Sequence, residues 1–136
     1  MKSLGELLAW LWIPVVLVSL GLVLTGVPED AEGPTLLIVG SEHGLTASNA
    51  LAVLLLLSGT GALILGVWRN IEICRGTVEQ QPLAAGVFSL GLLAGILLLI
   101  NSGVSTMLRL WAPGVLLSTS ALIGLAALVS FYMSRR

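Results

Sequence analysis

Four long apolar runs, separated by short polar segments, make up most of this 136-residue chain. They extend from about Leu7 to Leu24, Ala50 to Val67, Leu83 to Ile100 and Val115 to Met133, and none contains an Asp, Glu, Lys, Arg or His. Each approaches the ~20 residues that carry a helix across ~30 Å of hydrocarbon. With their flanking residues, the runs predict spans over about residues 4–27, 48–70, 82–102 and 112–134, and an outer loop over 28–48. The expected fold is therefore an all-α integral membrane protein: one domain, a four-transmembrane-helix bundle with one longer loop between its first two helices.

Local signals refine the boundaries. Ser3 followed by Glu6 reads as a capping box, in which hydroxyl and carboxylate each satisfy an amide of the first turn. Pro14 lies inside the first run, where it removes a helix hydrogen bond and should bend the rod. Gly26-Val27-Pro28 is a helix stop. In the outer loop, Thr35 to Val39 is bracketed by Gly33-Pro34 and Gly40; too short to span, it suggests a strand or an interfacial segment. Ser41 to Gly44 makes a turn toward a Thr46 or Ser48 cap. Between the second and third spans, Arg69, Glu72, Arg75 and Glu79 recur at spacings of three and four, which predicts extra helical turns laced by opposite charges. Pro82 should open the third span, and Ser105 or Thr106 should cap the fourth.

Charge adds orientation. Lys2, Arg69, Arg75, Arg135 and Arg136 fall on one side of the predicted spans and only Arg109 on the other, so the positive-inside rule places both termini in the cytoplasm. The outer loop carries Glu29, Asp30, Glu32 and Glu42 with no Lys or Arg. Trp10, Trp12, Trp68, Trp111 and Tyr132 lie near span ends, as an interfacial aromatic belt would require. Met1-Lys2 before an apolar run superficially suggests a signal peptide. The run exceeds a 7–15-residue signal core and Thr25-Gly26-Val27 is not an A-x-A site, so it reads as a retained span.

Composition agrees with lipid as the solvent: mean hydropathy is +1.06, with 57% hydrophobic and 10% charged residues, against about a quarter charged in soluble proteins. A net charge of −1 with scattered basic residues argues against nucleic-acid binding. One cysteine, Cys74, cannot form an internal disulfide or a cysteine metal cage. Five arginines against one lysine, with abundant Gly, Ala and Leu, suggest GC-rich coding and hence the plasma (inner) membrane of a prokaryote.

Chemistry is sparse. Glu42-His43 is the only adjacent acid and imidazole pair, and neighbours in an extended turn point apart. The midplane offers hydroxyls alone, Ser19, Ser58, Thr60, Ser89, Ser118, Thr119 and Ser120, which usually bond back to their own helices. The sequence predicts no enzyme, no cofactor and no metal. The membrane glutamate of small multidrug exporters has no counterpart. The in/out plan resembles that of the claudin-type tetraspans, but the loop lacks their cysteine pair, and no family is assigned.

Packing signals are stronger. Ser58, Ala62 and Gly66 recur every four residues, Gly91 to Gly95 is a GxxxG, and Ser120 and Gly124 continue the theme. In lipid, such stripes let helix backbones approach closely. They could close the chain's own bundle or form a seam with another subunit. The expected function is that of a non-catalytic accessory, assembly or scaffold subunit of a larger membrane complex. Its expected partners are the lipid bilayer and other subunits or copies of itself, with Leu36, Leu37, Ile38, Glu42, His43, Ser58, Ala62, Gly66, Gly91 and Gly95 as candidate contacts. The alternative is a homo-oligomeric channel or passive transporter lined by hydroxyls of spans two and four.

Overall fold

A computed structural model describes residues 4–26, 34–38, 44–105 and 110–135. The first apolar run is a composite rod: α1 (Leu4–Leu7), a π-helical turn (Leu8–Trp12) and α2 (Ile13–Leu24). It is followed by β1 (Thr35–Ile38), β2 (Gly44–Thr46), α3 (Ala47–Arg69), α4 (Ile71–Gln80), α5 (Pro82–Ser105) and α6 (Trp111–Ser134). Three stretches are long and apolar enough to cross a membrane: Ala47–Arg69, Pro82–Ser102 and Trp111–Ser134. The first run supplies a shorter apolar helix, Ala9–Leu24. That is less than the expected 4–27 span.

Pro14 explains the irregular start of the rod. It has no amide to give the Trp10 carbonyl and its ring crowds that group, so the chain takes a wider turn just before it. The proline ring itself is fully buried. Ser3 and the Val27-Pro28 stop lie outside the described residues, while Gly26 is in a turn after the Thr25 cap.

The outer segment forms a small antiparallel hairpin, with Thr35 opposite Thr46, Leu37 opposite Leu45 and Ile38 opposite Gly44. An irregularity between Thr35 and Leu37 interrupts its register. Thr46 ends the hairpin and starts α3: its hydroxyl accepts the Asn49 amide at 3.4 Å. The loop's apolar run is thus a strand tied to the head of a helix.

At the other end, α3 and α4 are separate helices. Asn70 divides them, because its side-chain amide and its backbone amide both donate to the Gly66 carbonyl, at 2.8 and 3.1 Å. This closes α3 as a C-cap, and the Asn70 carbonyl then accepts from Ile73 and Cys74 to begin α4. Arg75 and Glu79 pair at 3.3 Å on the exposed side of α4. Pro82 opens α5 as expected. The expected Ser105 or Thr106 cap of the fourth span is corrected: Ser105 is the last residue of α5, Thr106 lies outside the described residues, and α6 begins after Leu110 with no side-chain cap.

The helices pack as two antiparallel hairpins. The rod lies along α3, and α5 lies along α6, each pair in close contact over most of its length. Contact between the pairs is sparser and runs mainly through α2, α4 and α6. A core of Leu11, Val15, Ala126 and Val129 sits there, flanked by Trp10, Trp12, Leu63, Ile73, Leu122 and Met133.

Candidate functional site

Glycine and serine form the two intra-hairpin seams. In the first, a Cβ on Gly59 would stand 2.9 Å from the Val18 amide nitrogen, and one on Gly21 would stand 3.1 Å from that of Leu56. A Cβ on Gly66 would stand 2.6 Å from the Trp10 carbonyl oxygen. Gly66 therefore makes room for the Trp10 carbonyl in the wide turn before Pro14, and its own carbonyl receives Asn70. One glycine serves both the bent rod and the helix stop.

In the second seam, Gly95 faces Gly114 and Ser118: a Cβ on Gly95 would fall onto the Ser118 hydroxyl, 2.7 Å from its amide nitrogen and 3.0 Å from the Gly114 carbonyl. Reciprocally, a Cβ on Gly114 would lie 3.1 Å from the Leu99 amide nitrogen. Gly124 receives the ring of Phe88. Gly91 is looser, since an added Cβ would meet Ala121 and Leu117 at ordinary contact distances of 3.6 and 3.8 Å.

The seam between hairpins is made differently, by aromatic rings laid on small residues. Trp12 donates its indole N–H to Ser130 Oγ at 3.0 Å, and Trp111 donates to Thr25 Oγ1 at 2.9 Å. The exchange is reciprocal: the rod sends a tryptophan to α6, and α6 sends one back to the rod's far end. Each accepting hydroxyl donates onward to its own helix, Ser130 to the Ala126 carbonyl at 2.7 Å and Thr25 to that of Leu22 at 2.6 Å. An indole N–H in hydrocarbon needs such an acceptor, so these relays both satisfy the rings and fix the hairpins together. The Trp111 ring covers Gly26, and the Tyr132 hydroxyl lies against Gly76 of α4.

The five aromatic residues near the span ends differ in burial. Trp68 alone of the five is largely exposed, at 74%. Tyr132 is buried, and Trp10, Trp12 and Trp111 are half-buried in helix contacts, because their rings fill a seam that small residues leave open.

Gaps remain between the hairpins, two of them formed by described residues. Near the Trp111 end is an open groove of about 460 Å³ that includes Thr25, Leu56, Leu99 and Ser102. Near α4 lies a more enclosed and almost wholly apolar cleft of about 290 Å³, to which every long helix and α4 contribute. Cys74 is half-buried and forms part of its wall.

The residues singled out as contacts separate into groups. Gly66, Gly91 and Gly95 lie in the chain's own seams. Ser58 and Ala62 face outward; the buried small residues of α3 are instead Ala52, Gly59 and Gly66, seven apart. Leu36, Leu37 and Ile38 are in β1, described by backbone only, and Glu42 and His43 lie outside the described residues. Ser58 and Thr119 donate to their own helix carbonyls, at 2.6 and 2.8 Å, as membrane hydroxyls usually do. Ser19 and Ser118 depart from this pattern: their hydroxyls are buried without a hydrogen-bond partner. Among the described residues no three His, Cys, Asp or Glu side chains cluster as metal ligands would.

The reciprocal tryptophan relays were not foreseen; their only sequence signal is a tryptophan near one end of a run and a hydroxyl residue near the facing end of another. Comparison with protein families, curated proteins and solved structures finds no match for this chain.

Proposed function

We propose that the chain is a four-span membrane protein with both termini cytoplasmic, acting as a non-catalytic accessory, assembly or scaffold subunit of a larger membrane complex. The observation that supports this reading is the outward surface of α3 and α5. Each helix spends one narrow face on its hairpin partner, leaving Leu57, Leu83 and Leu90 at 69%, 86% and 68% exposure, beside outward Ser58, Gly61 and Ala62. A Cβ on Gly61 would meet nothing within 4 Å, so among the described residues this small-residue surface serves no contact inside the chain. Small residues on a lipid-facing helix are what a second transmembrane helix packs against.

A second reading has its own observation. Ser58, Thr60 and Ser120 point outward, so several copies could bring hydroxyls together around a pore. Purification from native membranes separates the two. A stoichiometric larger partner, released by Ala62→Leu or by Leu37→Ser with Ile38→Ser, supports the accessory role; a homo-oligomer that conducts solute in vesicles supports the pore. Orientation is tested by cysteine labelling of Ser134→Cys and Ser41→Cys in intact cells. Labelling at position 134 from outside overturns the topology.

A further inference from the structure

We propose that the cleft between the two hairpins beside α4 holds one acyl chain of a membrane phospholipid. Its walls come from both hairpins and α4, with Leu11 on the rod, Leu63 on α3, Thr77 on α4, Ala85 and Leu92 on α5, and Ala126 on α6. A space of about 290 Å³ is far larger than the voids of a packed interior, and leaving it empty forfeits the contacts of every group around it. Water does not fill it, because water needs two or more polar partners, and the one wall hydroxyl, that of Thr77, already donates to the Ile73 carbonyl at 2.8 Å. An apolar guest is required.

Shape selects the guest. From Ala85 to Leu92 the cleft follows roughly 10 Å of helix at 1.5 Å per residue, most of one ~15 Å leaflet. A volume of about 290 Å³ spread over that length gives a cross-section suited to one hydrocarbon chain and smaller than a helix about 10 Å across. The cleft is partly open, so a chain from the surrounding lipid can enter. Its bulk-lipid surroundings supply that chain at high concentration. Small Ala85 and Ala126 form part of its wall; both are buried, at 5% and 1% exposure.

The test uses the full chain in phosphatidylcholine vesicles doped with a phosphatidylcholine carrying a diazirine midway along one acyl chain, with cross-links mapped by mass spectrometry. Adducts are expected on cleft walls, at Leu63 and Leu92, as well as on outward Leu90 and Leu97. Ala126→Phe or Ala85→Leu, which fill the cleft, should lower cleft adducts about tenfold, equivalent to ~1.4 kcal/mol, and leave outward adducts unchanged. Wild-type adducts confined to outward residues overturn the proposal. So do cleft adducts that persist in a filled variant with wild-type melting. If neither variant folds, the wild-type map decides alone. The accessory role stands or falls separately, since an occupied cleft requires no protein partner.

Discussion

The seams inside the hairpins and the seam between them join the same kinds of helix by different means. Inside, Gly21, Gly59, Gly66, Gly95 and Gly114 bring backbone against backbone. Between, contact is sparser, Trp12, Trp111 and Tyr132 bridge the helices, and gaps remain among the described residues. Lipid tails are as apolar as Leu, so excluding water gives no drive for helices to associate, and what remains is close packing and hydrogen bonding. The intra-hairpin seams rely on packing. The inter-hairpin seam adds to the small core of Leu11, Val15, Ala126 and Val129 two hydrogen bonds at opposite ends, and its sparser contact makes it the place where a guest enters and where the molecule should come apart first.

The largest effect expected from that contrast is at Gly95. Gly95→Leu must displace the Ser118 and Gly114 backbone, so denaturation in mixed micelles should show a loss of about 2–3 kcal/mol or failure to fold. Stability equal to wild type would remove backbone contact as the basis of this seam. Trp12→Phe and Trp111→Phe should each cost about 1 kcal/mol, and because the bonds lie at opposite ends of the rod the losses should add. A cross-link between α5 and α6 should still form in both variants while one between the rod and α6 weakens; equal loss of both would show that the hairpins are not separate units.

Smaller effects sharpen the picture. Ser118→Ala removes a buried hydroxyl with no partner, at 1% exposure, and should raise stability by up to about 1 kcal/mol. A loss instead would mean that the hydroxyl is bonded in the membrane. Gly91→Ala, where space exists, and Leu97→Ile, at 65% exposure, should both stay within about 0.5 kcal/mol of wild type in the same assay. The Gly91 and Gly95 results together test whether a GxxxG pair acts as a unit or through one member.

Several local features were legible because each rests on a few adjacent residues. Thr46 caps α3, Pro82 begins α5, Arg75 and Glu79 pair one turn apart, and the Thr35 run is a strand. The faces of the helices were not legible. In a water-soluble helix the apolar stripe marks the buried side, but here Leu and Ile occupy buried and lipid-facing positions alike, so the periodic signal vanishes. The small-residue stripe of α3 shows the consequence. The four-residue series Ser58, Ala62, Gly66 is conspicuous in sequence, yet its first two members face outward and the seam follows Ala52, Gly59 and Gly66. A seven-residue repeat is what two helices at a shallow crossing keep in contact, whereas the four-residue series drifts off the seam.

By itself the sequence determined the membrane character of this protein, with apolar helices and the points where they start and stop. Those properties follow from one-dimensional constraints: hydrocarbon thickness sets the length of an apolar run, and a backbone without water must bond to itself. Only the tertiary structure decided which glycines touch a neighbour, that Gly66 accommodates the Trp10 carbonyl, that tryptophans tie the rod to α6, and that the hairpins leave a cleft. Each depends on which residues of distant helices lie at the same depth and angle, and an apolar sequence encodes that through side-chain volume and hydrogen-bonding partners instead of polarity.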